Sequence, residues 1–258
     1  MALPSFFSLK ASLCLTLLVC LLGPSVLGAQ KRQMLHEDQE GIRYQNQWPL
    51  AARWTLVSDL GFRWRTGFRE SNLYQIRTAA TFAPRPGVRL TSGLGYTGYY
   101  RSGEVSSVEF RPFQEVSVAQ RLWGLAFRHR LRLEERFFRI EANDAVGERE
   151  TPAYLRPRYA LQLKLRLLRL SADHPERQLT LTLGDELLLQ LGGGPDFKAT
   201  LRNRLLFGPA LEWSNRFGLS LTFTQQTAPT ATPGVFRSSE VIWLVVRHRV
   251  GGEAAPEG

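Results

Sequence analysis

Hydrophobic and polar residues alternate along most of the chain with a period of two. The segment RHRLRLEERFFR, residues 128–139, shows the alternation clearly. Its apolar face carries Leu131, Leu133 and Phe137, and its charged face carries Arg128, Arg130, Arg132, Glu134 and Arg136. A strand places successive side chains on opposite faces, whereas a helix groups residues three and four apart. The pattern therefore predicts a strand with one apolar and one heavily charged face.

The same alternation predicts ten strands. They cover residues 53–66, 73–83, 88–101, 107–121, 124–140, 153–170, 178–191, 198–212, 216–226 and 239–250. Several exceed the five or six residues that are usual for soluble strands. No segment after residue 28 has the period of an amphipathic helix, so we expect one all-β domain.

The connections between these strands alternate between short and long. Tight turns and longer segments rich in Gly, Pro, Asn and Asp follow one another, which is typical of an antiparallel up-and-down barrel that crosses a membrane. An even number of strands, about ten, is predicted, so that the first strand starts and the last strand ends on the periplasmic side. The segment IRYQNQW, residues 42–48, is a candidate extra strand, so twelve strands remain an alternative.

The N-terminus has the features of a secretory signal peptide. Lys10 precedes an apolar run that ends at small residues, which predicts a signal over residues 1–28. Both cysteines, Cys14 and Cys20, lie inside it, so the mature protein is expected to lack disulfides and thiolate sites.

The predicted organisation continues with three further segments. Residues 29–52 form a periplasmic segment or a short extra strand, residues 53–250 form the barrel, and residues 251–258 form a C-terminal tail. The formal charge is +10, of which the signal contributes one lysine and no acid. Because the chain is expected to be exported, we predict that this charge does not bind nucleic acid.

Two kinds of barrel fit the alternation. A secreted lipocalin-like barrel turns its apolar face inward, whereas an outer-membrane barrel turns it towards lipid. Three features favour the bacterial outer membrane: long strands, an arginine-rich polar face, and aromatic residues near strand ends, such as Trp54, Trp64, Trp123 and Trp213. We therefore expect a monomer in contact with membrane lipid and lipopolysaccharide.

The charged face predicts a network inside the barrel. Its expected members are Arg128, Arg130, Arg132, Glu134, Arg136, Arg156, Arg158, Lys164, Arg166, Glu186 and Arg204. The carboxylates are expected to pair with arginines, which lowers the cost of confining like charges. The excess of arginine also makes a small anionic ligand a candidate partner.

Several segments resemble an uncharacterised bacterial family, domain-of-unknown-function family 2490. They are YQNQWPL, LVSDLGFRWR, HRLRLEERF, YLRPRYALQL and GDELLLQLG. The family has a strand of the form Arg-x-Arg-x-Glu-x-x-Arg, which Arg130, Arg132, Glu134 and Arg136 resemble with a shortened last spacing. The following two strands would contribute Arg156, Arg158 and Glu186. The resemblance covers nearly the whole mature chain and implies an outer-membrane barrel, with no established activity.

The chain has no convincing catalytic motif. His129 and His248 lie on the apolar face together with Ser58 and Ser92, but no recognisable nucleophile arrangement joins them. No metal-ligand spacing occurs, and we predict no cofactor and no enzymatic activity. The first hypothesis is a structural or ligand-contacting outer-membrane barrel. A narrow anion-selective pore, a lipid-processing enzyme and the soluble lipocalin-like barrel remain alternatives.

Overall fold

The computed structural model describes residues 33–122, 125–140, 152–192, 199–230 and 232–251. The signal peptide, Trp123, and the tail beyond residue 251 therefore lie outside the described residues. The described residues contain no helix that is long and apolar enough to cross a membrane. The described residues from Met34 onwards belong to a single compact unit.

Eleven strands make up the described fold. They are β1 (Gln33–Ala51), β2 (Trp54–Arg65), β3 (Glu70–Arg85), β4 (Val88–Arg101), β5 (Glu104–Leu122), β6 (Leu125–Ile140), β7 (Ala153–Arg169), β8 (Gln178–Gly192), β9 (Ala199–Glu212), β10 (Phe217–Pro229) and β11 (Val235–Arg249). The strands form one closed barrel in which consecutive strands are neighbours. The all-β barrel predicted from the alternation is confirmed.

The barrel closes between β1 and β11. Consecutive strands are antiparallel, and an odd number of them makes the first and last strands run in the same direction. Residue numbers increase in the same direction on both strands along three contacts. Gln39 Nε2 donates to Ser239 Oγ at 3.2 Å, the Tyr44 hydroxyl lies 2.7 Å from His248 Nδ1, and the amide of Val250 donates to the carbonyl of Gln47 at 2.9 Å. The closing pair is therefore parallel.

The predicted strands correspond to β2–β11, and β1 is the additional strand. It spans 19 residues rather than the short segment proposed around residues 42–48. The expectation of an even strand number, with both barrel ends of the chain on one side, is wrong. Since β1 runs parallel to β11, it starts at the end of the barrel opposite to the end of β11. The segment between the last two strands is also shorter than predicted, because β10 reaches Pro229 and β11 begins at Val235.

Side chains of the barrel are arranged with the apolar face outside. Leu131 is 59% exposed and Leu205 is 50% exposed, whereas Glu134 is 0% exposed. Buried charged side chains, among them Arg136, Arg156 and Arg158, point into the barrel and line its cavity. A lipocalin-like barrel has the reverse arrangement. The described residues therefore carry an apolar exterior around a charged interior.

The two ends of the barrel are named from the direction of β2. We call the end at which β2 begins the turn end, and the end at which β2 stops the loop end. Aromatic side chains cluster outside both. Trp54 and Phe82 lie 4.9 Å apart between ring centroids at the turn end, and Trp64 and Phe68 lie 5.5 Å apart at the loop end.

Candidate functional site

The interior of the barrel is the candidate site. A cavity of about 2630 Å³ occupies it, lined by residues at both ends, from Arg53 and Arg166 at the turn end to Arg101 and Arg237 at the loop end. Its lining includes 23 arginines and one lysine against seven Asp and Glu residues. The wall is therefore strongly positive among the described residues, and its carboxylates are scarce partners.

Glu134 on β6 is fully buried behind this lining. Arg156 donates from Nε at 2.6 Å and lies with Nη2 at 2.5 Å from Oε2, and Arg158 Nη1 donates to Oε1 at 2.6 Å. Arg132 and Arg111 lie further away, at 3.6 and 4.0 Å. The sheet register produces this arrangement, because Glu134 is directly opposite Arg156 on β7. One carboxylate is thus surrounded by four guanidinium groups.

Arg158 joins Glu134 to a second carboxylate, Glu186 on β8. Its Nη2 donates to both oxygens of Glu186, at 2.6 and 2.7 Å. Arg130 donates to the same carboxylate at 2.6 Å, and Arg204 donates at 3.2 Å from the neighbouring strand β9. Bidentate guanidinium–carboxylate bonds are strong and directional, so Arg158 fixes the relative positions of β6, β7 and β8.

Two carboxylates on β5 extend the network. Glu109, fully buried, accepts bonds from Arg111 Nε at 2.8 Å, from Arg136 Nε at 2.6 Å and from the Tyr99 hydroxyl at 2.6 Å. Glu115 accepts from Arg132 Nε at 2.7 Å. The charged network therefore extends from β5 to β9, along one wall of the lumen.

The structure places the predicted residues in three groups. Eight join the connected network: Arg130, Arg132, Glu134, Arg136, Arg156, Arg158, Glu186 and Arg204. Lys164 belongs instead to a separate cluster at the turn end, where it donates to Glu212 at 3.3 Å beside Arg247 at 2.8 Å. Arg128 and Arg166 line the cavity near that end.

Sequence reasoning missed several members of the network. Glu109, Arg111 and Tyr99 were not predicted, although each occupies an inward position of its strand. The alternation in VEFRPFQE, residues 108–115, could have identified the two β5 residues, because Val108, Phe110 and Pro112 share one parity and the charged side chains share the other.

The opposite wall, formed by β1–β3 and β11, has fewer ion pairs. Asp59 accepts from Arg77 Nε at 2.9 Å. The guanidinium of Arg43 stacks over the ring of Trp243 at 4.1 Å from its centroid. Gln39 accepts a bond from Asn72 at 2.8 Å. Hydrogen bonds between neutral groups and a cation–π contact thus replace the carboxylate network here.

The two outward histidines are held by tyrosines. His129 Nδ1 lies 2.9 Å from the Tyr159 hydroxyl and its Nε2 lies 3.2 Å from Gln120. His248 Nδ1 lies 2.7 Å from the Tyr44 hydroxyl. Neither ring bonds a serine within the described part of the chain. In the same part, no three His, Cys, Asp or Glu side chains are grouped as ligands for a metal ion.

The chain was compared with known families, curated proteins and solved structures. The model of a family described as Protein of unknown function (DUF2490) matches residues 42–237, which run from the middle of β1 to the start of β11. No curated protein and no solved structure matches the chain.

Proposed function

The chain belongs to the DUF2490 family, and we propose that it is a bacterial outer-membrane β-barrel whose arginine-rich lumen has a structural or ligand-contacting role. The observation that carries this proposal is the orientation of the two faces. Leucine and phenylalanine side chains such as Leu131, Leu205 and Phe207 are exposed around the barrel, while charged side chains fill its interior.

An exterior of this kind is unfavourable in water. Exposed apolar surface costs roughly 25 cal/mol per Å², and contiguous patches beyond a few hundred Å² mark contact with a membrane or another protein. Lipid removes that cost on all sides of a closed barrel at once. The strands are also long enough, since the shortest has 12 residues and about 9–11 tilted residues cross a bilayer. The aromatic pairs at both ends fit the two membrane interfaces.

The charged interior supports a structural role for the lumen. Arg158 and Arg136 each connect carboxylates and polar groups from different strands, with donor–acceptor distances of 2.6–3.1 Å. Such bonds fix the cross-section of the barrel and keep the scarce carboxylates ionised beside their guanidinium partners.

Cell fractionation combined with gel mobility tests the proposal. We expect the mature protein in the outer-membrane fraction, resistant to carbonate extraction, with gel mobility that changes on boiling as a folded barrel unfolds. A protein recovered from the periplasm without detergent would contradict the proposal and return the soluble barrel to first place.

A second candidate function is an anion-selective pore. The specific observation in its favour is the cavity, which is lined at both ends of the barrel and is dominated by arginine. Conductance across a planar bilayer with a KCl gradient is the test. We expect a reversal potential that shows higher permeability for chloride than for potassium. Absence of conductance, or selectivity for potassium, would exclude the anion-selective pore.

We propose further that the barrel acts as a monomer surrounded by lipid and lipopolysaccharide, without catalysis. The tyrosine partners of His129 and His248 suit rim positions at headgroup depth. Light scattering in detergent tests the monomer. Fatty-acid release from phospholipid vesicles, if observed, would instead favour a lipid-processing enzyme.

A further inference from the structure

The carboxylates of the lumen are unevenly shared among its arginines. Glu109, Glu115, Glu134 and Glu186 all pair with arginines of β5–β9. On the opposite wall Asp59 is held by Arg77 at 2.8–2.9 Å, and Glu37 by Arg65 at 2.6 Å. The acids nearest to the β1–β2 wall are therefore already occupied.

Two arginines on that wall are left without an ion pair. Arg43 on β1 and Arg63 on β2 line the cavity, and neither lies within 4.0 Å of a carboxylate oxygen among the described residues. The Nε atom of each is buried and has no hydrogen-bond partner there. A buried donor of a charged group that lacks an acceptor is unfavourable, so both side chains are poised to bind an acceptor.

Arg204 of β9 reaches towards the same part of the lumen. Arg43 and Arg63 lie on paired strands, where Arg43 is opposite Gly61 and Arg63 is opposite Gly41, and Arg204 lines the same cavity. The charges that act on Arg43 are those of Arg77 and Asp59, followed by Arg204 and Arg63, and Arg63 also acts on Arg204. Arg204 is held in place, because it donates to Gln226 at 2.5 Å and to Glu186 at 3.2 Å. Arg43 is positioned by its stacking on Trp243. Three like charges from β1, β2 and β9 thus repel one another across the lumen.

We propose that Arg43, Arg63 and Arg204 form a binding site for a tetrahedral oxyanion of the phosphate or sulfate class. Guanidinium groups present forks of N–H donors that match the oxygens of such an anion, often in pairs. A divalent oxyanion accepts from several forks at once and offsets the mutual repulsion of the three cations. Chloride offers one small acceptor and satisfies fewer donors.

The site deepens the proposed ligand-contacting role of the lumen and rests on it, but it does not depend on the location of the protein. The ligand is either the free ion or the terminal group of a small phosphomonoester. Both have the same recognition chemistry, and comparison of the two distinguishes them.

Calorimetric titration of the folded mature protein in detergent, at constant ionic strength, tests the site. The probes are inorganic phosphate, sulfate, glycerol phosphate and chloride. The variants are Arg43→Gln, Arg63→Gln and the matched control Arg121→Gln, which removes one cavity-lining guanidinium at the turn end. The tighter of the two phosphate probes identifies the form of the ligand.

We expect phosphate to bind to the wild type more tightly than chloride. Each of Arg43→Gln and Arg63→Gln should weaken it by about tenfold or more, whereas Arg121→Gln changes it by less than about twofold. Without phosphate, Arg63→Gln should unfold at the same temperature as the wild type or higher, because one repelling charge is gone.

Three results would overturn the site: no phosphate binding by the wild type, equal losses in all three variants, or strong destabilisation by Arg63→Gln in the absence of phosphate. Heat-dependent gel mobility of the same preparation shows independently that the barrel is folded. A negative titration therefore leaves the outer-membrane proposal standing, and failure of membrane fractionation leaves the anion site standing.

Discussion

The substitution Glu134→Gln removes a carboxylate that four arginines share. Its consequences differ from partner to partner. Arg158 keeps Glu186 at 2.6 Å, and Arg132 keeps Glu115 at 2.5 Å. Arg156 has Glu134 as its carboxylate partner, with two contacts of 2.6 and 2.5 Å, and pairs with no other carboxylate among the described residues. The substitution therefore leaves Arg156 buried and uncompensated.

Breaking a buried ion pair by removing one partner costs about 3–5 kcal/mol, and we expect Glu134→Gln to lower the free energy of unfolding by that amount. Arg132→Gln should cost only about 1–3 kcal/mol, because Glu134 retains Arg156 and Arg158 at 2.6 Å or less. Glu115 loses its contact with Arg132 but keeps Arg130 at 3.8 Å. In the double variant Glu134→Gln, Arg156→Gln the unpaired charge is absent, so part of the loss should be recovered.

Urea unfolding in one detergent, followed by tryptophan fluorescence, measures these free energies. The Glu134–Arg156 cycle should show a coupling energy of about 2–3 kcal/mol, and the Glu134–Arg132 cycle, across 3.6 Å, should show less than about 1 kcal/mol. If Glu134→Gln lowers the free energy of unfolding no more than Arg132→Gln does, and shows no coupling to Arg156, Glu134 does not stabilise the barrel by compensating its arginines. The arginines would then be retained for an anion.

Two further predictions concern the faces and the seam of the barrel. Leu163→Arg, on the apolar side of β7, should lower the free energy of unfolding in lipid vesicles by about 2–4 kcal/mol. Gln162→Arg should lower it much less, because Gln162 lines the cavity. Equal losses in urea titrations of the two variants would contradict the orientation of the faces. Gly41→Ala should cost about 1–3 kcal/mol, because the added Cβ would lie 2.4 Å from the ring of Trp243. In the control Gly95→Ala the added Cβ would lie 3.5 Å from its nearest atom, so the loss of stability should be less than about 1 kcal/mol. Similar melting temperatures for the two variants would argue against tight packing between β1 and β11.

The alternation of side chains predicted most of the fold, because a strand with one buried and one exposed face has a period of two whichever medium surrounds it. It predicted β2–β11, and for β1 it identified only residues 42–48 as a candidate strand. The start of that strand, HEDQE at residues 36–40, is polar on both faces. Its place depends on parallel pairing with β11, 200 residues away, for which the local pattern contains no signal.

The pattern also predicted which charged residues face the lumen, but not their partners. Register decides that Glu134 lies opposite Arg156 and that Glu186 lies opposite Arg204. Barrel closure decides that Arg43 of β1 stacks on Trp243 of β11, at 4.1 Å from the ring centroid. Position along the strand separates Lys164 from the predicted network, because Lys164 lies nearer to the turn end of β7 than Arg156 and Arg158 do. It pairs with Glu212 at the turn end instead.

The central claim is that the apolar face of this barrel contacts lipid. A nitroxide scan along β10 tests it most directly, since the mature protein is expected to have no cysteine of its own. Single cysteines would replace Leu219, Ser220, Leu221, Thr222 and Phe223, whose apolar members are exposed and whose Ser and Thr members line the cavity. In reconstituted vesicles we predict that collision with oxygen, which concentrates in lipid, is high at odd positions, and that collision with a water-soluble nickel complex is high at even positions. The opposite phase, or no alternation at all, would contradict the account.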